Sequence, residues 1–145
     1  MSCQKFVAAC GFQNAKASGF EADDFLAAAA AAEEKRGGTV LIASGDRDTF
    51  QLASDSTTIL YPVRGGDMAR VDPAAVRARY DVDPVQVPDF IALRGDPSDK
   101  LPGAKGVGAI GAATLLQRYG TLEGSLLVAS PHRLKTCGFS GRSPQ

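Results

Sequence analysis

Three short stretches of this chain gather carboxylates: Glu21, Asp23 and Asp24 in "GFEADDF", Asp46 and Asp48 in "SGDRDTF", and Asp96 and Asp99 in "RGDPSDK". Acids that converge from separate stretches can hold a divalent metal ion, whose hard charge suits carboxylate oxygen. Each group also has a plainer explanation. Acids in the first turn of a helix offset its macrodipole and its unpaired N–H groups, which would account for Glu21, Asp23 and Asp24. Asp46 could close an Asx-type turn and cap the next helix. If the chain instead stays extended there, a period of two points Asp46 and Asp48 the same way, and their repulsion calls for a cation. Asp96 and Asp99 are three apart and share a face if their segment is helical. A phosphatase that forms an aspartyl-phosphate is excluded for the second group, because Thr49-Phe50 follows Asp48 where that motif needs Gly-Thr.

A second kind of chemistry follows the third group. "LPGAKGVGAIGAATLL" (101–116) has the grammar of a helix–hairpin–helix. Leu101-Pro102-Gly103 ends one element, Gly106-Val107-Gly108 makes a tight turn that favours glycine, and Ala109–Tyr119 forms the next helix, with Gly120 past its end. Such a turn presents backbone N–H groups at a helix N-terminus, where they can meet phosphate oxygens without reading a base. Lys105 adds a positive charge beside it. A plain pair of packed helices would use the same glycines.

The elements that must position these residues alternate between helix and strand. Residues 5–10 read as the end of a helix closed by Gly11, with an extended piece to Ala17. Alanine-rich 22–36 reads as a helix stopped by Gly37-Gly38, apolar enough over Phe25–Ala32 to be packed on more than one side. Val40–Ala43 is a continuous apolar run, expected to be a strand buried on both faces as in parallel sheets. Asp46 and Asp48 thus sit at a strand's carboxyl end, where open sheets bind ligands. "TFQLAS" reads as a short helix, "TTILYPV" as a strand and "RGGDM" as a turn. Asp72-Pro73 and Asp83-Pro84 each open a helix, one to Tyr80 and one to Leu93. The fold class is therefore α/β, a mostly parallel sheet flanked by helices, followed by an all-helical region.

The bulk numbers fit one soluble domain. The chain has 145 residues, 44% hydrophobic and 22% charged, with zero net charge. No apolar stretch is long enough to span a bilayer, and the start has no signal-peptide layout. Three widely spaced cysteines fit neither a disulfide framework nor a zinc knuckle, so a reduced, cytoplasmic setting is expected. The lone His132 has no partner and reads as a surface residue.

The motifs "GFEADD", "GDRDTFQL", "ALRGDPSDKLPGAKGVG" and "TLLQRYGTLE", in this order from about Val7 to Leu127, resemble the 5′ nuclease domain of bacterial DNA polymerase I and its stand-alone relatives. That resemblance implies a 5′→3′ exonuclease or flap endonuclease with a PIN-like core, working in DNA replication and repair. It implies Glu21, Asp23, Asp24, Asp46, Asp48, Asp96 and Asp99 as ligands of two Mg²⁺ or Mn²⁺ ions, with Asp23, Asp46 and Asp48 catalytic. It further implies DNA contacts by Lys100, Gly103, Lys105, Gly106, Val107 and Gly108, with K⁺ bound at the hairpin. The partner is duplex DNA with a 5′ end or flap, and a DNA polymerase as a separate chain. Lys100 departs from the family, which usually carries Asn there. The domains expected are 1–71, the C-terminal part of the nuclease core; 72–128, helical, with the hairpin motif at about 94–119; and a tail, 129–145.

The family begins with a strand that ends in a further essential Asp and continues into a helical arch. Residues 1–20 hold no acid at all, so the N-terminal part of the fold is read as missing. Without that strand, Val40–Ala43 is expected to lose a neighbour and leave apolar surface open, which favours instability, aggregation or pairing with another chain. The rival reading is a non-catalytic module that grips DNA backbones through the hairpin. A phosphohydrolase of small molecules is disfavoured, because its substrate needs no hairpin.

Overall fold

The computed structural model describes residues 3–129; His132 and all of the expected tail except Ala129 lie outside the described residues. Helix α1 (Cys3–Ala9) leads through extended chain to α2 (Ala22–Lys35) and strand β1 (Val40–Ala43). A turn of 3-10 helix (Asp48–Leu52) precedes the hairpin of β2 (Thr57–Pro62) and β3 (Met68–Val71). Then come α3 (Pro73–Tyr80), a second 3-10 turn (Pro84–Gln86), α4 (Val87–Arg94), α5 (Ala109–Tyr119) and α6 (Leu122–Ala129). No helix among the described residues is long and apolar enough to cross a membrane.

The sheet has the order β1-β2-β3. β1 lies parallel to β2, from Val40 opposite Thr57 to Ala43 opposite Leu60. β2 and β3 are antiparallel, from Ile59 opposite Val71 to Pro62 opposite Met68. The parallel crossover is as expected; β3 is an addition, formed by the chain that leaves the Gly65-Gly66 turn.

Two burial expectations are corrected. β1 is paired on one side only, so it is an edge strand: Ile42 is 3% exposed, but Leu41 is 59% exposed. Helix α2 buries only Ala30 instead of packing on several sides. Both faces lack a neighbour among the described residues; for β1 this is the open apolar edge expected where no further strand pairs with it, whereas nothing in the apolar pattern of α2 signals it. What holds α2 is partly polar. The Thr57 hydroxyl donates to Glu34 Oε1 at 2.6 Å, and the Ser54 hydroxyl donates to the same oxygen. Ser54 Oγ in turn accepts from the backbone N–H of Thr57 at 3.0 Å.

One core joins the sheet to the helical region. Phe50, Ile59, Val76, Val87, Phe90, Ala112 and Leu116 are at most 1% exposed and belong to one cluster. The Asp72 carboxylate caps α3 by accepting from the Ala75 N–H at 2.8 Å, with Pro73 in the first turn. Two amide side chains secure the far end of α5. Gln86 Nε2 donates to the carbonyls of Leu116 and Gly120 at 3.2 and 2.7 Å, and Gln117 Nε2 donates to Asp81 O at 2.7 Å. They satisfy the cap carbonyls of two helix ends, Gly120 O past α5 and Asp81 O past α3, while Leu116 O also accepts from the Gly120 N–H.

Candidate active site

Asp46 and Asp48 follow β1, but the chain there is turned, not extended. The Asp48 N–H donates to Asp46 Oδ1 at 3.0 Å, and the Thr49 hydroxyl donates to Asp46 O at 2.6 Å. The Asx-type turn allowed by the sequence is what forms, and it replaces the period-of-two geometry. The two carboxylates nonetheless line one cavity of about 710 Å³, together with Asp96, Asp99, Arg47, Arg94 and Tyr61. Acids 48 residues or more apart in the chain are thus brought to one cleft by β1 and the end of α4.

Asp96 and Asp99 are not on a helix. Helix α4 stops at Arg94, and residues 96–101 form a turn closed by a two-way backbone pair, Asp96 N to Leu101 O at 3.0 Å and Leu101 N to Asp96 O at 2.8 Å. The Asp96 carboxylate accepts from the Ser98 N–H at 2.9 Å and from the Ser98 hydroxyl. Arg94 stands 3.6 Å away. These hydrogen bonds, aided by Arg94 and Arg47, hold the Asp96 carboxyl below its ordinary range.

Glu21 is the N-cap of α2 in an extended conformation, so it lies in the irregular entry to the helix. Asp24 Oδ2 accepts from the Glu21 N–H at 2.9 Å. Asp24 therefore serves the helix end, as in a capping box. Asp23 differs: burial and then the charges of Asp46, Glu21 and Asp24 push its carboxyl up. Asp48 is pushed up as well, by burial first and then by Asp46, Asp99, Asp96 and Asp23. Asp48 thus feels all three groups of acids. Among the described residues, however, no three acids close on a common point that would hold a metal ion. The first group does not line the cavity, though Asp23 is near enough to Asp46 for their charges to interact.

The hairpin rests on a contact between two glycines. A Cβ on Gly103 would lie 2.5 Å from Gly95 N and 2.5 Å from the carbonyl carbon of Arg94, and one on Gly95 would lie 2.8 Å from Gly103 N. Both residues also have positive φ, +84° at Gly95 and +66° at Gly103. Gly106 needs glycine for its φ of +82°, whereas Gly108, the N-cap of α5, has an ordinary φ of −92° and open space where a side chain would stand. The turn thus requires glycine at 106 but not at 108. Val107 packs against the core, and Lys100 and Lys105 are exposed. Lys100 adopts φ +60°, a left-handed conformation that Asn and Gly tolerate better than Lys.

Arg47, Arg94 and Tyr61 line the cleft and were not singled out as site residues. The available signal was Arg47 itself, a cation held between two acids in "GDRD".

Comparisons with known proteins agree along the chain. The family model "5'-3' exonuclease, N-terminal resolvase-like domain" matches residues 1–81, and "5'-3' exonuclease, C-terminal SAM fold" matches residues 82–137. DNA polymerase I of Mycobacterium tuberculosis is 47% identical over 121 residues, which is 83% of this chain and 13% of that protein. A 5'-3' exonuclease of Streptomyces coelicolor is 44% identical over 119 residues, covering 80% of this chain and 38% of the relative. The chain therefore spans a minor part of these curated relatives. Among solved structures, T5 5'-exonuclease with divalent metal ions (zinc) bound superposes with a TM-score of 0.72 at 20% identity, covering 87% of this chain and 45% of that one. The catalytic core of Rad2 in complex with DNA substrate gives 0.58 at 18% identity, covering 94% and 42%. These two likenesses bear on the fold, an α/β nuclease core followed by a helical SAM-like region. With family models matching both halves, the chain belongs to the 5′→3′ exonuclease family.

Proposed function

We propose that this chain serves a divalent-metal-dependent nuclease that hydrolyses DNA phosphodiester bonds at 5′ ends or flaps. One observation carries the reading: Asp46 and Asp48 share a cleft with Asp96 and Asp99, and the segment bearing the second pair runs directly into the glycine hairpin.

The donor set fits Mg²⁺ or Mn²⁺ in kind. Mg²⁺ keeps several waters and takes one or two carboxylates, so it does not need three acids on one point. Asp46, Asp48, Asp96 and Asp99 would hold such ions, with Asp23, Glu21 and Asp24 acting from outside the cavity. When bound, two ions supply positive charge to the attacking water and to the leaving oxygen of an in-line displacement. The chain's own part is to concentrate negative charge: Asp23 and Asp48 repel their neighbours at neutral pH, and a cation relieves that repulsion. The free N–H groups at the start of α5, with Lys105 and Lys100 nearby, would grip a phosphate backbone, and K⁺ at hairpin carbonyls belongs to the same reading. It also carries a cytoplasmic role in DNA replication and repair beside a polymerase, the last supported by relatives named DNA polymerase I.

The test is cleavage of a 5′-flap DNA in Mg²⁺. Cleavage that stops with EDTA and in Asp46→Ala is the expected result, together with a rise in melting temperature when Mg²⁺ is added. Binding without cleavage in any divalent metal selects the alternative, a module that only grips DNA backbones.

A further inference from the structure

Three arginines lie over one unbroken row of aromatic rings. Tyr61 and Phe50 meet edge to face with ring centres 5.3 Å apart, Phe50 and Tyr80 stand 6.2 Å apart, and Tyr80 and Phe90 stand 5.2 Å apart. The Arg47 guanidinium lies 6.0 Å from the Tyr61 ring centre. Arg79 is 5.8 Å from that of Phe50 and 5.7 Å from that of Tyr80, and Arg94 is 5.3 Å from that of Phe90. Four separate elements contribute to this row, so no single helix face accounts for it. A guanidinium over a ring is attracted by the ring's quadrupole. Arg47 Nε also donates to the Tyr61 hydroxyl at 3.2 Å and Arg94 Nε to Gly95 O at 3.0 Å, so in both the terminal amino groups remain as donors for an anion. A guanidinium held in this way is already partly ordered, so less freedom is lost when it meets an anion.

Tyr80 and Phe90 of this row line a groove of about 570 Å³ between α3, α4 and the first turn of α5, which Asp81 lines as well. Arg47, Arg79 and Arg94 line it, as do Ala109 and Ile110, the residues just past Gly108. Arg47 and Arg94 also line the acidic cleft. The groove therefore starts at the cleft and reaches the amino end of the hairpin's second helix. Among the described residues, Arg47 and Arg79 form no ion pair, whereas Arg77 pairs with Asp83 at 2.5 Å and Arg94 with Asp96 at 3.6 Å. A compact anion would engage one end of such a row. A row that joins two sites fits an extended polyanion.

We propose that Arg79, flanked by Arg47 and Arg94, binds the phosphates of one DNA strand along the path from the acidic cleft to the hairpin. The assignment rests on the nuclease reading for its ligand, and it adds contacts outside both the acids and the hairpin turn.

The experiment is fluorescence anisotropy of the full chain on a labelled 5′-flap DNA in EDTA, from about 50 to about 200 mM salt, with cleavage in Mg²⁺ measured in parallel. Arg79→Gln is expected to weaken binding and to reduce the slope of log K against log salt by about one, and the Arg47→Gln, Arg79→Gln pair by about two. Arg79→Lys retains the charge and loses the flat stacking surface, so it keeps the slope while binding more weakly. An unchanged slope in Arg79→Gln, with wild-type chain that binds and cleaves, overturns the groove and leaves the nuclease reading standing. A wild-type chain that neither binds nor cleaves overturns both.

Discussion

Around Gly95 and Gly103 backbone meets backbone at distances that admit no Cβ, whereas around β1 and α2 one strand edge and most of a helix surface meet nothing among the described residues. Both regions carry candidate site residues, and they are held by different means. The hairpin region is fixed by covalent geometry and close packing, with its helix end secured by Gln86. The acidic region is held by a single parallel pairing and a polar tie through Glu34, and its own charges oppose it. The contrast separates a site that is built in advance from one whose final form depends on what comes to it.

Gly103→Ala attacks the first region most directly. The added methyl group meets Arg94 and Gly95 backbone and sits at positive φ, so a loss of about 4 kcal/mol is expected, read from urea unfolding. Gly45→Ala is the matching control beside the acidic turn. Its Cβ would lie 3.7 Å from Pro62, an ordinary contact, and stability should hold within about 0.5 kcal/mol.

Next in size is a pair of leucines. Leu116 is fully buried beneath the helical region, and Leu116→Ala should cost about 3 kcal/mol. Leu41 is 59% exposed on the sheet edge, so Leu41→Lys should cost under about 0.5 kcal/mol and reduce concentration-dependent association, measured by light scattering. Equal losses at the two positions would erase the distinction drawn between the regions.

Lys100 is the one site residue of the hairpin region at odds with its own backbone. Lys100→Gly removes the left-handed penalty and should stabilise by about 1 kcal/mol, as a rise in the urea midpoint with unchanged m.

The smallest effect belongs to pH. Asp23 and Asp48 have carboxyls raised above the ordinary value of 3.8, so the folded chain binds protons more readily than the unfolded one. Their unfavourable contribution is present at neutral pH and fades as pH falls through the raised values. Asp96, lowered, acts the other way and loses its contribution only below 3.8. In metal-free buffer the melting temperature should therefore rise as pH falls from neutral toward the raised values that lie above 3.8, and Asp48→Asn should flatten that rise.

What could be read from the sequence follows the same division. The bounds of α5 and the starts of α3 and the 84–86 turn are legible because Asp-Pro caps and closing glycines act within a few residues. So is the β1–turn–acid order, since it depends on a local apolar run and a polar break. The 96–101 turn is hidden because its backbone pairing of Asp96 with Leu101 leaves no periodic mark. The apolar runs of β1 and α2 overstate burial because such a run looks the same with or without a neighbour; for β1 only the motif order, which lacks a further strand, points to the open edge. The aromatic row is invisible for a related reason: Tyr61, Phe50, Tyr80 and Phe90 come from four elements, and only the assembled core lines them up.

Gln86 and Gln117 tie both sides of one helix end to the chain that leaves the sheet. Through them the carboxyl end of α5 is anchored to residues 81–86, so the hairpin's second helix has a fixed heel while the acid-lined opening keeps its freedom to adjust. A ligand that reaches from the opening to the hairpin would thus meet one settled end and one that yields.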